Sequence, residues 1–460
     1  MNPNKRIVTL ITFITSAWVS TASAILIVLA LYRTEDKPDL VSFLEHFDGS
    51  LFMGGVSVFL CSNIIAIRYW VKLRRSGMRP LRLIFIWNIL PLVLIGITLE
   101  IFLRLLASET PTGTMLGGKP LFPRSLRVFA DNSVWEPLLS YDHTLGWTVT
   151  PNSSTSDGLY ISSEDGIRTS KTSSGFGAGN AICRIALIGD SHTFGLEMKF
   201  EETWGYLLQR YMPECQVLNF GVSGYSLSQM YLRYKRDVLP FRPDIVILAL
   251  SRGSTNRTMG VYGLTMFSPG IPWAQPRFQI TNAGLTPINQ PLPRLEDIIQ
   301  AKWISDLPYI DYDRFFSPSR WELKRWRYFY NSYLFRLYTT RYPLGRKQRK
   351  EDSAEMLNHA LLQGVFQVAK AYNSIPLLLY LPDKNDANNL ASETPSLKVL
   401  RSSGFQYLDL RPCLSQLSAE DRFIPNGSHY SIRGSEAIAA CVANHLFSVR
   451  KQVNYRTPGR

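Results

Sequence analysis

Hydrophobic and polar positions divide the chain into an apolar first quarter and a later part in which short apolar runs alternate with amphipathic ones. Ile185 to Ile188 is a short uninterrupted apolar run that reads as a buried strand. It breaks into Gly189-Asp190-Ser191-His192, where glycine permits a sharp turn. Glu201, Glu202 and Thr203 then lead into Trp204, Leu207, Leu208 and Tyr211, a spacing that predicts a helix over 203–211. The alternation continues with strands at Gln216–Asn219, Asp244–Leu250, Pro376–Leu381 and Gln406–Leu410, and helices at Ser228–Leu239, Ala360–Tyr372 and Ile432–Val449. Such alternation implies right-handed crossovers and a parallel sheet covered on both faces, a three-layer α/β domain.

An insertion over about 257–354 interrupts this pattern. Within it, Pro276–Pro293 predicts a β-hairpin turning near Asn282-Ala283-Gly284. Ser319–Lys350 is basic and aromatic, with Trp321, Arg325, Trp326, Arg327, Tyr328, Phe329 and Tyr330 close together. Three readings stay open for it: a helix packing its aromatics inward, a surface on anionic headgroups, or a groove for an acidic glycan. Before the first strand, 108–180 is rich in Ser, Thr, Gly and Pro, and its Gly146–Val149 and Leu159–Ile161 segments read as short strands or loops. Gly175-Phe176-Gly177-Ala178-Gly179 precedes a strand instead of following one, so it is not read as a dinucleotide motif.

The first quarter predicts three transmembrane helices: Ile7–Tyr32, Leu51–Ile67 and Leu83–Ile101. Lys5, Arg6 and the basic loop from Arg68 to Arg82 flank them on one side, and the acidic Arg33–Ser50 loop lies on the other. The positive-inside rule then places everything after about Ala107 outside the cytoplasm. The expected organisation is a membrane domain at 1–106 and an extracytoplasmic domain at 107–460, in a multi-pass protein of the inner (plasma) membrane whose large domain faces away from the cytoplasm.

The formal net charge of +14 suggests an anionic partner. No nucleic-acid-binding signature accompanies it, so membrane lipid is favoured over nucleic acid. None of the 5 cysteines shows Cys-x-x-Cys spacing, which argues against a structural zinc site. Outside the cytoplasm, pairs 183–215 and 413–441 become available as disulfides; buried free thiols fit equally well.

Ser191 at the carboxyl end of a parallel strand sits where open α/β sheets place ligands, although a serine there also suits an ordinary strand-to-helix turn. A nucleophilic serine needs a base. Of the 6 histidines, His359 and His445 fall in helical patterns, and His192 adjoins the serine and points away along the helix start. His429 lies in a late loop, Asn426-Gly427-Ser428-His429-Tyr430-Ser431-Ile432-Arg433-Gly434, which can approach Ser191 in space.

Taken together, these blocks resemble the SGNH (GDSL-like) hydrolase family, in order from about Ile182 to Val449. Gly189-Asp190-Ser191-His192 is similar to its first block, Val217 to Gly224 to its second, Asp244–Leu250 with Ser251–Asn256 to its third, and His429-Tyr430-Ser431-x-x-Gly434 to its fifth. Upstream, Leu145–Asn152 and Asp165–Arg168 resemble membrane-tethered bacterial members. The resemblance implies a flavodoxin-like fold, with Ser191 as nucleophile, His429 as base, and oxyanion donors from Ser191, Gly224 and Asn256. Two positions depart from the family pattern. The third block reads Gly253-Ser254-Thr255-Asn256, so Ser254 is an alternative donor to Asn256. Asn426 stands where the family has an acidic residue to orient the histidine; Asp421 or a backbone carbonyl is an alternative.

The expectation is a serine acyl-ester hydrolase without metal or cofactor, acting on O-acetyl groups of an envelope or exported polysaccharide, with polysaccharide-biosynthesis proteins as candidate partners. The alternatives are an O-acyltransferase working through the same acyl-serine, and a catalytically degenerate glycan-binding or scaffold protein.

Overall fold

The computed structural model describes residues 90–110, 113–123, 125–129, 137–171, 182–267, 271–342, 354–387 and 389–452, with scattered positions between 8 and 75. The chain divides into two compact units. The first comprises Met1–Arg124 and Ser319–Gly345, the second Ser125–Pro318 and Arg346–Arg460. The boundary expected at 106 therefore falls inside the first unit, and the insertion is shared between the two.

In the first unit, helix α1 (Leu90–Leu106) has 17 residues, a length of about 25 Å. Its Glu100 carboxylate accepts the N–H groups of Tyr333 and Leu334 at 2.9 and 3.0 Å and the Ser332 hydroxyl at 2.8 Å. Arg104 pairs with the same carboxylate at 2.9 Å. The charged end of α1 is thus held by the helix Tyr333–Arg341. Most of the first apolar stretch, about half of the second and 83–89 of the third lie outside the described residues, as does all of Gly175–Gly179. Among the described residues no helix is long and apolar enough to cross a membrane. This overturns the three transmembrane helices, and with them the multi-pass inner-membrane assignment and the orientation built on it. The aromatics of the basic segment gather on one another: the Trp321, Trp326, Phe329, Phe335 and Tyr338 rings lie within 4.9–5.7 Å of their neighbours.

The second unit is built on a seven-stranded sheet. Its strands are β1 (Ile161–Ser162), β2 (Arg168–Thr169), β3 (Cys183–Gly189), β4 (Cys215–Asn219), β5 (Ile245–Ser251), β6 (Ile375–Leu381) and β7 (Tyr407–Asp409), in the order β7-β6-β5-β3-β4-β2-β1. The five from β3 to β7 are parallel; β1 and β2 add an antiparallel edge that the sequence pattern did not predict. The parallel strands follow the 2-1-3-4-5 order of flavodoxin-like sheets, so the chain reverses direction across the sheet between β3 and β5 and leaves a crevice at their carboxyl ends.

Helices cover both faces. The short helix α2 (Ser191–Phe194) follows β3 directly. Helix α3 (Trp204–Tyr211) is capped by Thr203, whose hydroxyl accepts from the Tyr206 N–H at 3.2 Å. It packs on one face with α7 (Ile432–Gln452), around Leu207, Leu208, Ile438 and Val442. The other face carries α4 (Leu227–Arg233), α5 (Ala354–Ala371) and α6 (Pro395–Ser402), around Met230, Leu361 and Leu397. Ser226 and Gln229 cap α4 reciprocally, whereas Thr394 with Pro395 starts α6. Helix α5 begins six residues before the position expected from its periodicity, at Ala354. The hairpin of the insertion forms, pairing Phe278–Thr281 with Gly284–Pro287. Cys183 bonds to Cys215 across adjacent strands, and Cys413 bonds to Cys441.

Leu248 sits in the middle of β5, between Ile188 of β3 and Leu378 of β6, and is 1% exposed. Leu248→Ala should lower the unfolding free energy by about 2–5 kcal/mol, measured by denaturant titration; a change below about 1 kcal/mol would show that this strand is not the core.

Candidate active site

Ser191 occupies the first turn of α2, at the carboxyl end of β3 beside the crevice. The His429 Nε2 lies 2.9 Å from its Oγ. The other ring nitrogen, Nδ1, lies 2.7 Å from Glu197 Oε2. A carboxylate can only accept, so Nδ1–H donates to Glu197 and Nε2 is left to accept from the serine hydroxyl. Asn426, the residue expected at Nδ1, is exposed at φ 60° in the same loop. Asp421 is also elsewhere: it pairs with Arg433 at 3.0 Å. The acidic partner of His429 therefore comes from just beyond the serine, not from the histidine loop.

Residues upstream of β3 build the seat for Glu197. Its backbone is left-handed, with φ 68°, and its N–H donates to the Tyr160 hydroxyl at 2.8 Å. The next residue is tied as well: Arg168 Nη2 donates to the Met198 carbonyl at 3.1 Å and to the Leu159 carbonyl at 2.7 Å. Arg168 packs against the Tyr160 and Phe194 rings, and burial pushes its pKa down to about 10. Gly427 completes the approach, because a Cβ there would lie 2.9 Å from Glu197 Oε2. Burial would raise the Glu197 carboxyl, but its contacts with the His429 ring and with the His429 and Ser428 N–H groups hold it below the ordinary value. Nothing in the sequence pattern singled out Glu197, since an acidic residue six positions after the serine matches no block.

Ser191, Gly224 and Asn256 all line one cavity of about 720 Å³, together with His192, Phe267, Ile271, Lys384 and His429. The Ser191 and Gly224 N–H groups and the Asn256 side chain have no hydrogen-bond partner among the described residues. Gly224 is left-handed at φ 78° and closely packed: a Cβ would meet Ile271 Cδ1 at 2.8 Å and Phe267 Cζ at 3.2 Å. Trp147 holds this turn from behind, donating from Nε1 to the Ser223 carbonyl at 2.9 Å, while the Tyr225 hydroxyl donates to the Trp147 carbonyl at 2.7 Å. Ser254, the alternative donor, is fully buried and turned inward, with its hydroxyl accepting from the Ser251 N–H at 3.0 Å.

Beneath the serine lies a buried ion pair. Asp190 is 2% exposed; Arg257 Nη2 donates to its Oδ2 at 2.5 Å, and the Ser251 hydroxyl donates to the same oxygen. Burial alone would raise this carboxyl, but the Arg257 guanidinium and the Ser251 hydrogen bond hold it below the usual carboxylate range. Arg257 also reaches the Tyr225 carbonyl from Nε at 3.1 Å and from Nη2 at 2.8 Å. One guanidinium thereby ties the turn that carries Ser191 to the turn that carries Gly224. His192 does not reach Ser191; its ring packs 4.9 Å from His429 and 5.1 Å from Tyr430, and burial pushes its pKa down to about 4, so it stays neutral beside the His429 ring. Among the described residues no three His, Cys, Asp or Glu side chains gather in a way that could hold a metal ion.

No family model matches the chain, and no curated protein matches it. Among solved structures it is similar to a protein assigned to the lipolytic G-D-S-L family from Desulfitobacterium hafniense, at 14% identity over 57% of this chain and 98% of that one, with a TM-score of 0.29. It is similar to the lipase/acylhydrolase from Enterococcus faecalis at 13% identity, over 58% and 97%, with a TM-score of 0.31. An acetylxylan esterase from Geobacillus stearothermophilus gives 13% identity over 58% and 95%, with a TM-score of 0.31.

Two outcomes follow. Arg257→Met leaves the Asp190 charge buried and unpaired, and should cost about 3–5 kcal/mol in a urea titration; a loss below about 1 kcal/mol would show that the pair does not hold the site. His192 has a native pKa below its unfolded value of 6.5. Its contribution is therefore full above the unfolded pKa and is lost as pH falls towards the folded value of about 4. Unfolding free energies measured across that window should fall more steeply for the wild type than for His192→Gln, and parallel curves would contradict the assignment.

Proposed function

We propose that the second unit is a serine acyl-ester hydrolase of the SGNH type, acting on O-acetyl groups of an acylated glycan. The observation that carries this reading is the line Ser191 Oγ, His429 Nε2, His429 Nδ1, Glu197 Oε2, with spacings of 2.9 and 2.7 Å, opening on the cavity that holds Gly224 and Asn256.

Each atom has a role in acyl transfer. Ser191 Oγ attacks the acyl carbon as His429 Nε2 takes its proton. Glu197 fixes the imidazole tautomer and stabilises the imidazolium that forms. The Ser191 and Gly224 N–H groups and the Asn256 amide stabilise the oxyanion. The protonated His429 then donates to the leaving alcohol, and water repeats the sequence on the acyl-serine. Phe267 and Ile271 line the cavity beside Gly224 and, with Leu196, give it an apolar wall that suits the hydrocarbon part of an acyl group. The lining also carries Arg252, Asn256, Asp383, Lys384 and Asn385, polar groups that suit a hydroxyl-rich alcohol.

Release of acetate from 4-nitrophenyl acetate should vanish in Ser191→Ala and His429→Ala. Glu197→Gln should lower kcat by about a hundredfold to ten-thousandfold with little change in KM, while Asn426→Gly stays within about threefold of wild type. Equal turnover in wild type and Ser191→Ala would end the esterase reading; a large loss in Asn426→Gly with little in Glu197→Gln would return the orienting role to Asn426.

A further inference from the structure

Beside the catalytic cavity lies a second one of about 310 Å³, and the two share Asn256 and Pro395 as lining residues. The second is walled by the loop after β5 and by the starts of α5 and α6. Its volume stands at the low end of small-molecule sites, which run from about 300 to 1,000 Å³, enough for one compact unit of a larger substrate.

Its chemistry is polar and balanced. Two cations, Arg314 and Lys398, face two carboxylates, Glu355 and Glu393, so the lining favours neither an anion nor a cation. Lys398 Nζ and Glu355 Oε2 lie 3.2 Å apart on side chains that are 62% and 43% exposed. That places a donor and an acceptor side by side, where one hydroxyl of a vicinal diol can donate to the carboxylate and the other can accept from the ammonium. The third observation is Asn358. It lines this cavity at 2% exposure, and its Nδ2 donates to the Thr255 and Ala354 carbonyls at 3.0 and 2.7 Å. Its Oδ1 is buried and accepts nothing. A buried acceptor without a donor is costly, and it marks the wall behind this cavity as polar.

We propose that this second cavity is a subsite for a neighbouring sugar unit, so that the substrate is an ester on a neutral oligomeric glycan and not on a small alcohol. The proposal rests on the esterase reading of the first cavity and adds what the alcohol portion is. The chain of the glycan runs from Ser191 over Asn256 and Pro395, and its next ring sits between Lys398, Glu355 and Asn358. Its contribution is positional: binding energy from the remote ring orients the reacting ester.

The test uses the full chain and acetylated β-1,4-linked glucose, xylose and mannose, each as the monosaccharide and as the trisaccharide. In at least one series kcat/KM for the trisaccharide should exceed that for the monosaccharide by about tenfold or more, the scale of one good contact set. That ratio should fall to about one in the double variant Glu355→Ala/Lys398→Ala and be lowered in the milder Glu355→Gln, with thermal melting used to show that both are folded. Ratios near one in all three series, or a ratio that survives in folded variants, would overturn the subsite. If wild type and Ser191→Ala turn over 4-nitrophenyl acetate equally, the esterase reading fails first, and that result is separate from a flat trisaccharide ratio in an active enzyme.

Discussion

The contact on which the candidate site depends is the buried pair between Asp190 and Arg257. A carboxylate at 2% exposure directly before the serine would be unfavourable without a counter-charge. Arg257 supplies that charge from the loop after β5, and the same guanidinium reaches the Tyr225 carbonyl in the loop after β4. Three loops that leave three adjacent strands are therefore fixed to one another at the crevice where β3 and β5 part. The nucleophile turn, the turn of Gly224 and the Asn256 segment hold their spacing because they share this group.

A second set of contacts sets the acid and base. Ordinary loop contacts would let Glu197 swing, since its side chain is 41% exposed. The hydroxyl of Tyr160 and the guanidinium of Arg168 hold its backbone in a left-handed turn instead, and Gly427 leaves room for its carboxylate against His429. Preorganisation of this kind matters because a carboxylate that must first find the imidazole neither fixes its tautomer nor stabilises its charge when the proton moves. The segment before β3, with no helical period of its own, supplies this support together with Trp147 behind Gly224.

Much of this was legible in the sequence, and the physical reason differs from element to element. Strands β3, β5 and β6 are uninterrupted apolar runs, and a strand buried on both faces has that appearance. Ser191 and His429 stood out because each sits at the junction of such a run, or of a helix, with a polar loop. The two-strand edge formed by β1 and β2 was not readable, because two-residue strands carry no periodicity. Glu197 escaped notice for a related reason: a left-handed non-glycine turn has no signature, and Asn426 occupied the position at which an orienter was expected. The apolar first quarter misled most. Its third stretch has the hydropathy of a membrane span, yet Glu100 at its end accepts hydrogen bonds from Ser332, Tyr333 and Leu334, contacts that come from more than two hundred residues away.

The central claim is that Ser191 is a nucleophile activated by His429 and Glu197. The most direct measurement is covalent trapping with a fluorophosphonate, read by mass spectrometry of the digested protein. The account predicts one phosphonyl adduct, on the peptide that contains Ser191, and its loss in folded His429→Ala. An intact, folded protein that takes no label, or takes it on another serine, would contradict the account.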